Sequence, residues 1–425
     1  MTGLRITNGL PPIRLQGVQR DLREHNTEAS GEAWFGSPWA LGAAEKLRRD
    51  TYAQRAVQGV IGPLVQSFFD FEPASRTNPL DVEIARFCER NFFSGLFSWI
   101  EVLEQALGYL WDGFSVFEWI ERVAPVSRDE FPQHPGRGLG VWIGSLAHRP
   151  AWSITALHPR KDDASKLLEA WQYTHDDEFV RIPASKVLRF AFKSGGNDLY
   201  GFAPARPMYG PHRAKVLLCA LEMVQHERAH VGTPQLLTEA GVEVSSEDLE
   251  AAEKMLAELR SAERGYVIPP PGTKVEYTTT KGTTDVRGTI EDKNREILAT
   301  FAGNHELLGS STSSGSYALA GVQKSVREVV VEHHGQIVVD TINYGRDGWS
   351  PVERLVRANY GPGVALPRAV LRSTPLRNTQ ALAEMTEKLV KAGVWTSGDD
   401  TEEFLREASG MPQERRPRNK EIATP

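Results

Sequence analysis

The stretch Asn294–Val330, NREILATFAGNHELLGSSTSSGSYALAGVQKSVREVV, limits most sharply what this chain can fold into. An apolar helical pattern stops at Leu308-Gly309, and a second one starts at Ser316-Tyr317-Ala318-Leu319. Between them Gly309, Ser310, Ser311, Thr312, Ser313, Ser314 and Gly315 offer no large apolar side chain. Such residues break helical periodicity and cannot anchor a core. The pattern therefore predicts a flexible Ser/Gly loop held between two long helices. A pocket enzyme has little use for that element. A ring with a central channel does, because each subunit can hang one loop into the bore.

With 425 residues the chain can bury a sizeable core and hold two or three domains. Lys and Arg number 49 against 55 Asp and Glu, a net charge of −6. That balance argues against a protein wrapped in DNA phosphates, which needs a large basic excess. It suits a channel wall, because mild acidity repels phosphates and prevents sticking. The two cysteines, Cys88 and Cys219, lie in apolar helical patterns and read as buried free thiols of a reducing compartment. The N-terminal stretch MTGLRITNGLPPIRLQG lacks the apolar core of a signal peptide. No run approaches the ~18–20 apolar residues that span a bilayer.

Along the chain, residues 1–40 are polar and rich in Pro and Gly and read as an extended arm. Helical patterns cover 41–70 and 80–108, the second broken near Gly95. Trp111-Asp112-Gly113 makes a turn into a strand at Phe114–Ile120, while 122–150 reads as irregular. Strand signals recur at Trp152–Leu157, Trp171–Thr174 and Val187–Phe192. The helical period returns from Pro204 to His230 and ends at Gly232-Thr233-Pro234. A compact β-α-β-β unit follows: a strand at Gln235–Thr238, a helix capped by Ser245 with Asp248, and strands at Tyr266–Ile268 and Val275–Tyr277. Helices are then expected at 288–308, at 316–344 and over most of 350–409, before a charged tail from Gly410. The fold class is α+β.

Several motifs look chemical. His226-Glu227-Arg228-Ala229-His230 matches H-E-x-x-H, in which two histidines one turn apart hold zinc and the Glu activates water. A zinc hydrolase built on His226, Glu227 and His230, with Glu250 or Glu253 as third ligand, is the enzymatic alternative. Against it, Arg228 puts a cation between the ligands, and Gly232 and Pro234 end the helix one turn later. His333-His334 with Glu332 reads as a solvated helix face, since adjacent helical residues diverge by about 100°. His175-Asp176-Asp177-Glu178 reads as a solvated turn. Gly136-x-Gly138-x-Gly140 lacks the third spacing of a dinucleotide fingerprint and reads as a flexible loop. No Gly-Lys pair and no G-x-S-x-G elbow occurs, so neither a phosphate-binding P-loop nor a hydrolase nucleophile is present.

Four segments together resemble the portal proteins of tailed bacteriophages, in their Mu-like branch. LGYLWDGFSVFEWIERV at 107–123 is similar to a helix, Gly turn and apolar strand ending in Glu-aromatic. IPASKVLRFAFKSGGNDLYGFAPARPMY at 182–209 looks like a Pro-x-x-Lys strand followed by a Tyr-Gly-x-x-Pro entry to a long helix. HERAHVGTPQLL at 226–237 resembles a Glu-Arg-x-x-Gly-x-Pro helix end, a structural account of Glu227 and Arg228. The fourth is the loop segment above together with LVRANYGPGVALPRAVL at 355–371, which resembles an Asn-aromatic-Gly…Pro signature. Their order and spacing carry the resemblance more than any one motif.

The resemblance implies a non-enzymatic ring protein with no cofactor and no metal. After the arm at 1–40, residues 41–202 and 317–344 would form the wing, 203–233 and 286–308 the paired stem helices, and 234–285 the clip. Residues 309–316 would be the channel loop, 345–409 a helical crown, and 410–425 a disordered tail. The implied partners are other copies of the chain in a dodecamer, and double-stranded DNA bound without sequence preference. The terminase large subunit, a head-tail connector or adaptor, and the major capsid protein or scaffold complete the set; no membrane is implied. Lys281, Arg287 and Lys324 are nearby cations. The implied place is the capsid vertex of the virion, reached from the host cytoplasm during assembly. A non-portal virion structural or adaptor protein is the remaining alternative.

Overall fold

The structure, a computed structural model, describes residues 38–93, 96–173, 178–193, 198–231, 233–238, 245–260, 268–269, 273–278, 285–301, 317–373, 387–388 and 391. They fall into two compact units. The smaller spans Gly210–Glu296; the larger runs through Tyr209 and resumes at Ile297.

In the larger unit, local sequence sets where the helices begin. Helix α1 covers Pro38–Arg48 and α2 covers Thr51–Val65, where Asp50 accepts hydrogen bonds from the backbone N–H groups of Tyr52 and Ala53 at 2.9 and 3.3 Å. Strand β1 follows at Phe68–Glu72. Helix α3, Pro79–Phe92, starts with Asn78 as N-cap and Pro79 in its first turn, where the missing N–H costs nothing. Helices α4, Trp99–Ala106, and α5, Tyr109–Asp112, lead to Gly113, whose φ of +89° suits glycine. A Cβ there would lie 2.9 Å from the Tyr200 carbonyl oxygen.

Strands β2, Phe114–Pro125, and β3, Leu139–Arg149, form a long antiparallel hairpin with a bulge at Ile120/Glu121. This corrects the irregular reading of 122–150. The glycines that suggested a flexible loop answer a packing demand: a Cβ on Gly140 would lie 2.5 Å from Val126 Cγ2 and 2.9 Å from Asn359 Oδ1. Strands β4, Ile154–Pro159, β5, Leu167–Tyr173, and β6, Phe179–Pro183, make a second antiparallel sheet. Strand β7, Val187–Ala191, returns to pair with β2, giving the order β3-β2-β7.

That sheet separates two cores, and the two-residue period of its strands divides the side chains between them. Phe114, Val116, Val187 and Ala191 face a core completed by Leu157, Leu167, Ala170 and Ile182 of the second sheet. Phe117, Trp119, Leu188 and Phe190 face a larger core with helices α2 to α5. Helix α9, Tyr317–Tyr344, helix α10, Pro351–Tyr360, and strand β10, Arg368–Ser373, also pack there. Strand β10 pairs antiparallel with β1, Phe71 opposite Ala369. Residues 345–373, expected in a helical crown, are thus part of this core, and 368–373 is a strand.

Three asparagines hold strands as a neighbouring backbone would. Asn359 on α10 accepts from the Val141 N–H at 2.8 Å and donates to the Val141 carbonyl at 2.9 Å. Asn343 on α9 makes the same pair of bonds with Ala369, at 2.8 and 2.9 Å. Asn91 on α3 accepts from the Ile143 N–H at 3.0 Å and donates to the Phe87 carbonyl at 2.9 Å. Each satisfies backbone groups that burial would otherwise leave unpaired.

The smaller unit contains most of helix α6, Tyr209–Val231, then β8, Thr233–Thr238, helix α7, Ser246–Arg260, β9, Thr273–Thr278, and most of helix α8, Val286–Ala299. Strands β8 and β9 pair antiparallel with Leu236 opposite Val275. The expected cap of α7 is present: the Asp248 N–H donates to Ser245 Oγ at 3.2 Å, and that hydroxyl donates to Asp248 Oδ2 at 2.7 Å. Of the expected strand Tyr266–Ile268, only Ile268 is among the described residues, and it is not in a strand. Cys88 is buried as expected; Cys219, on α6, is exposed, which corrects the reading of both thiols as buried. Among the described residues no helix is long and apolar enough to cross a membrane.

Arg189 on β7 and Asp347 form an ion pair with only 1% of each side chain exposed. Arg189 Nε and Nη2 donate to the two carboxylate oxygens at 3.1 and 2.7 Å, and Nη1 donates to the Leu199 carbonyl at 2.6 Å. Asp347 also accepts from the Leu167 N–H at 3.1 Å. Asp347→Asn leaves the guanidinium buried without its counter-charge. Chemical denaturation should show a loss of about 3–5 kcal/mol, and a loss under about 1 kcal/mol would contradict this account.

Candidate functional site

The strongest functional signal in the sequence, Gly309, Ser310, Ser311, Thr312, Ser313, Ser314 and Gly315, lies outside the described residues. What the structure describes is how the flanking helices are held. On the preceding side α8 brings Ile297 and Leu298, followed by Phe301, into the larger core. Its earlier residues belong to the smaller unit, where Lys215 of α6 donates to Asn294 of α8 at 3.1 Å. The exposed side of α8 carries ion pairs, Arg295 with Asp292 at 2.9 Å and Arg287 with Glu291 at 3.8 Å. Arg287, one of the three cations singled out near the loop, is thus exposed and engaged. Lys281 and the side chain of Lys324 lie outside the described residues.

On the following side, α9 carries His334, and here the reading of His333-His334 as a solvated face is corrected. His333 is exposed, but His334 is buried among Tyr109, Phe192 and Phe301. Its Nδ1 shares a 2.9 Å hydrogen bond with the Tyr109 hydroxyl. Burial, with a smaller contribution from neighbouring His333, lowers the His334 pKa to about 4. Burial pushes the Tyr109 phenol up. Both groups are therefore neutral near pH 7. The signal was present in sequence, since His334 sits four residues before Val338 and three after Val331 on an apolar stripe.

Of the two histidines of the zinc alternative, His226 has a described side chain. His226 is exposed and faces Glu222 one turn earlier, at 3.8 Å. The side chains of Glu227 and His230 lie outside the described residues, as do those of His175, Asp176 and Asp177. Glu250 and Glu253 are exposed on α7. Among the described residues no group of three or more His, Cys, Asp or Glu side chains could hold a metal ion.

The motif residues instead take structural roles. Asp198 accepts from the N–H groups of Tyr200 and Gly201 at 2.9 and 3.1 Å, and Tyr200 Oη accepts from the Leu157 N–H at 3.1 Å. Gly201 has φ of +70°, and a Cβ there would lie 2.7 Å from the Phe192 carbonyl oxygen. After Pro183 a short 3₁₀ turn, Ala184–Lys186, presents the Ala184 carbonyl to Trp349 Nε1 at 2.7 Å. The Asn359-Tyr360-Gly361 signature supplies the Val141 clamp, the Tyr360 hydroxyl donating to buried Glu83 at 3.2 Å, and a positive-φ helix end at Gly361.

Because His334 is neutral when folded, its charging opposes folding. Its folded pKa of about 4 lies below the unfolded value near 6.5. The stability it secures is complete above pH 6.5 and is lost as pH falls toward 4. Thermal midpoints should drop between pH 6.5 and 5 in the native chain and drop less in His334→Gln. Equal slopes for the two proteins would contradict the assignment.

A model of the family described as "Portal protein of Mu bacteriophage" matches residues 41–411. No curated protein matches. Among solved structures, a chain of the "Neck of empty GTA particle computed with C6 symmetry" is similar at 16% identity and a TM-score of 0.54. That match covers 91% of this chain and 97% of the other. A chain of the "Virion of native gene transfer agent (GTA) particle" matches at 14% identity and a TM-score of 0.53, covering 88% and 93%. These likenesses concern the fold. The family match spans both units and all four motif segments, and the chain belongs to the portal protein family of bacteriophage Mu.

Proposed function

We propose that copies of this chain close into a ring at the head vertex of a phage particle, through which double-stranded DNA is packaged and later ejected. The observation that carries the reading is the family match over 41–411. It is supported by matches over most of the chain to particles whose neck was computed with cyclic symmetry. Head-to-tail contacts with a closing rotation generate such a ring, here a dodecamer.

Helix α6 gives this a physical basis. Met223 is 76% exposed and Val216 53%, with Leu221 and Cys219 also exposed on the same helix. An apolar helix surface in water marks a contact with another protein surface. In the ring, α6 and α8 are the stem, and a neighbouring stem covers that surface. The β8–β9 pair with α7 lies within the clip, 234–285, which meets the terminase large subunit and later the head-tail connector. The wing comprises 41–202 and α9, and with residues 345–373 built into its core, the crown begins after Ser373. The wing faces capsid protein or scaffold, in the host cytoplasm during assembly and then in the virion. No step is catalytic.

Residues 309–316 are the channel loop. Small hydroxyl side chains there touch the passing duplex through its backbone, without reading bases. Deleting Ser311–Ser314 should leave ring assembly unchanged, by light scattering, and cut DNA packaging at least about tenfold, a loss of roughly 1.4 kcal/mol or more in the limiting step. Full packaging by the deletion would sink the loop assignment.

A further inference from the structure

Helix α2 carries a proline in its interior, Pro63. A helical proline has no N–H for the carbonyl four residues earlier, and its ring pushes that carbonyl aside. Here that carbonyl belongs to Gly59. A buried or half-buried backbone carbonyl needs another donor, and the structure supplies one from a distant part of the chain. Arg327 of α9 donates to the Gly59 oxygen from Nε at 3.2 Å and from Nη2 at 2.9 Å. Glycine is what admits the guanidinium, since a Cβ on residue 59 would lie 3.1 Å from Arg327 Nη2. Eight residues further along α9, Gly335 repeats the close approach. A Cβ there would lie 2.9 Å from Leu64 Cδ2 of the same α2 and 2.6 Å from Leu371 Cδ2 of β10.

We propose that Arg327 is a positioning residue that pins α9 to α2 through the carbonyl freed by Pro63. The long helix that begins at Tyr317 is thereby fixed from its eleventh residue onward by a charged, two-pronged hydrogen bond. Gly335 seats the following turns against Leu64. What the pin positions for DNA passage rests on the channel-loop reading of 309–316; the pin itself does not. The aligned parts are specific to each other: an Arg without the proline finds a carbonyl already bonded within its helix, and a proline without the Arg leaves a carbonyl unpaired.

Hydrogen exchange of the full chain tests this with Arg327→Ala, Pro63→Ala and the double variant. Arg327→Ala should speed exchange of the α9 amides following Tyr317 about tenfold, as expected for losing one charged hydrogen bond. Pro63→Ala draws the Gly59 carbonyl back into its own helix. It should therefore protect α2 better while loosening α9. The double variant should loosen α9 no further, because both changes remove one interaction. Unchanged α9 exchange in Arg327→Ala, or strictly additive effects, would overturn the pin. If Arg327→Ala fails to fold by circular dichroism, Gly59→Ala crowds the guanidinium while favouring the α2 helix, and faster α9 exchange is still required. A pin confirmed beside normal packaging by the Ser311–Ser314 deletion would remove the loop reading alone.

Discussion

The buried Arg189–Asp347 pair is the contact on which the larger unit depends. Its 1% exposure places two charges where water cannot compensate them, so every donor and acceptor must be met by protein. The two carboxylate oxygens take both guanidinium prongs and the Leu167 N–H, and the third guanidinium nitrogen takes the Leu199 carbonyl. Four separate stretches of chain thus meet at one point: strand β7, the start of β5, the segment before Tyr200, and the turn between α9 and α10. The pair sits on the side of β7 that carries Val187 and Ala191, against the smaller of the two cores. Aligning both sheets and the end of the long helix follows from satisfying that one site.

The asparagine clamps extend the same logic. Asn343, Asn359 and Asn91 each spend a side-chain amide on backbone groups of a strand. Hydrogen bonds of this sort add little net stability when made and cost much when one partner is lost. Their effect is to fix register between helices and strands. The family-like motifs at Tyr200-Gly201, Pro183–Lys186 and Asn359-Tyr360-Gly361 mark such points. In the larger unit these recognisable residues hold backbone segments in register.

Much of the helical layout was legible in the sequence because its signals are local. Asn78-Pro79 caps α3, Ser245 with Asp248 caps α7, and Gly113 turns α5 into β2. What escaped reading depends on distant partners. Strand β10 pairs with β1, some three hundred residues earlier in sequence, and six residues carry too little periodicity to announce that. The β2–β3 hairpin was obscured by Pro125 and by glycines at 136, 138, 140 and 144; of these Gly140 makes room for Asn359, a side chain brought by α10. His334 looked like half of a surface pair because adjacent residues on a helix diverge; its place on the Val331–Val338 stripe marks it as the inward one, and Tyr109 and Phe301 are what it meets there. Between the two helices expected as a pair, Lys215 of α6 donates to Asn294 of α8. The Ser/Gly composition of 309–315 is plain in the sequence, and those residues lie outside the described ones.

The central claim is that this frame serves a ring around DNA. Electron microscopy of the purified, assembled protein, with mass from light scattering, tests it most directly. The account requires closed rings of about a dozen subunits by head-to-tail symmetry, with α6 and α8 around an open bore and residues 309–315 at its narrowest point. Closed rings whose bore excludes a duplex, or in which residues 309–315 lie on the outer rim, would contradict it.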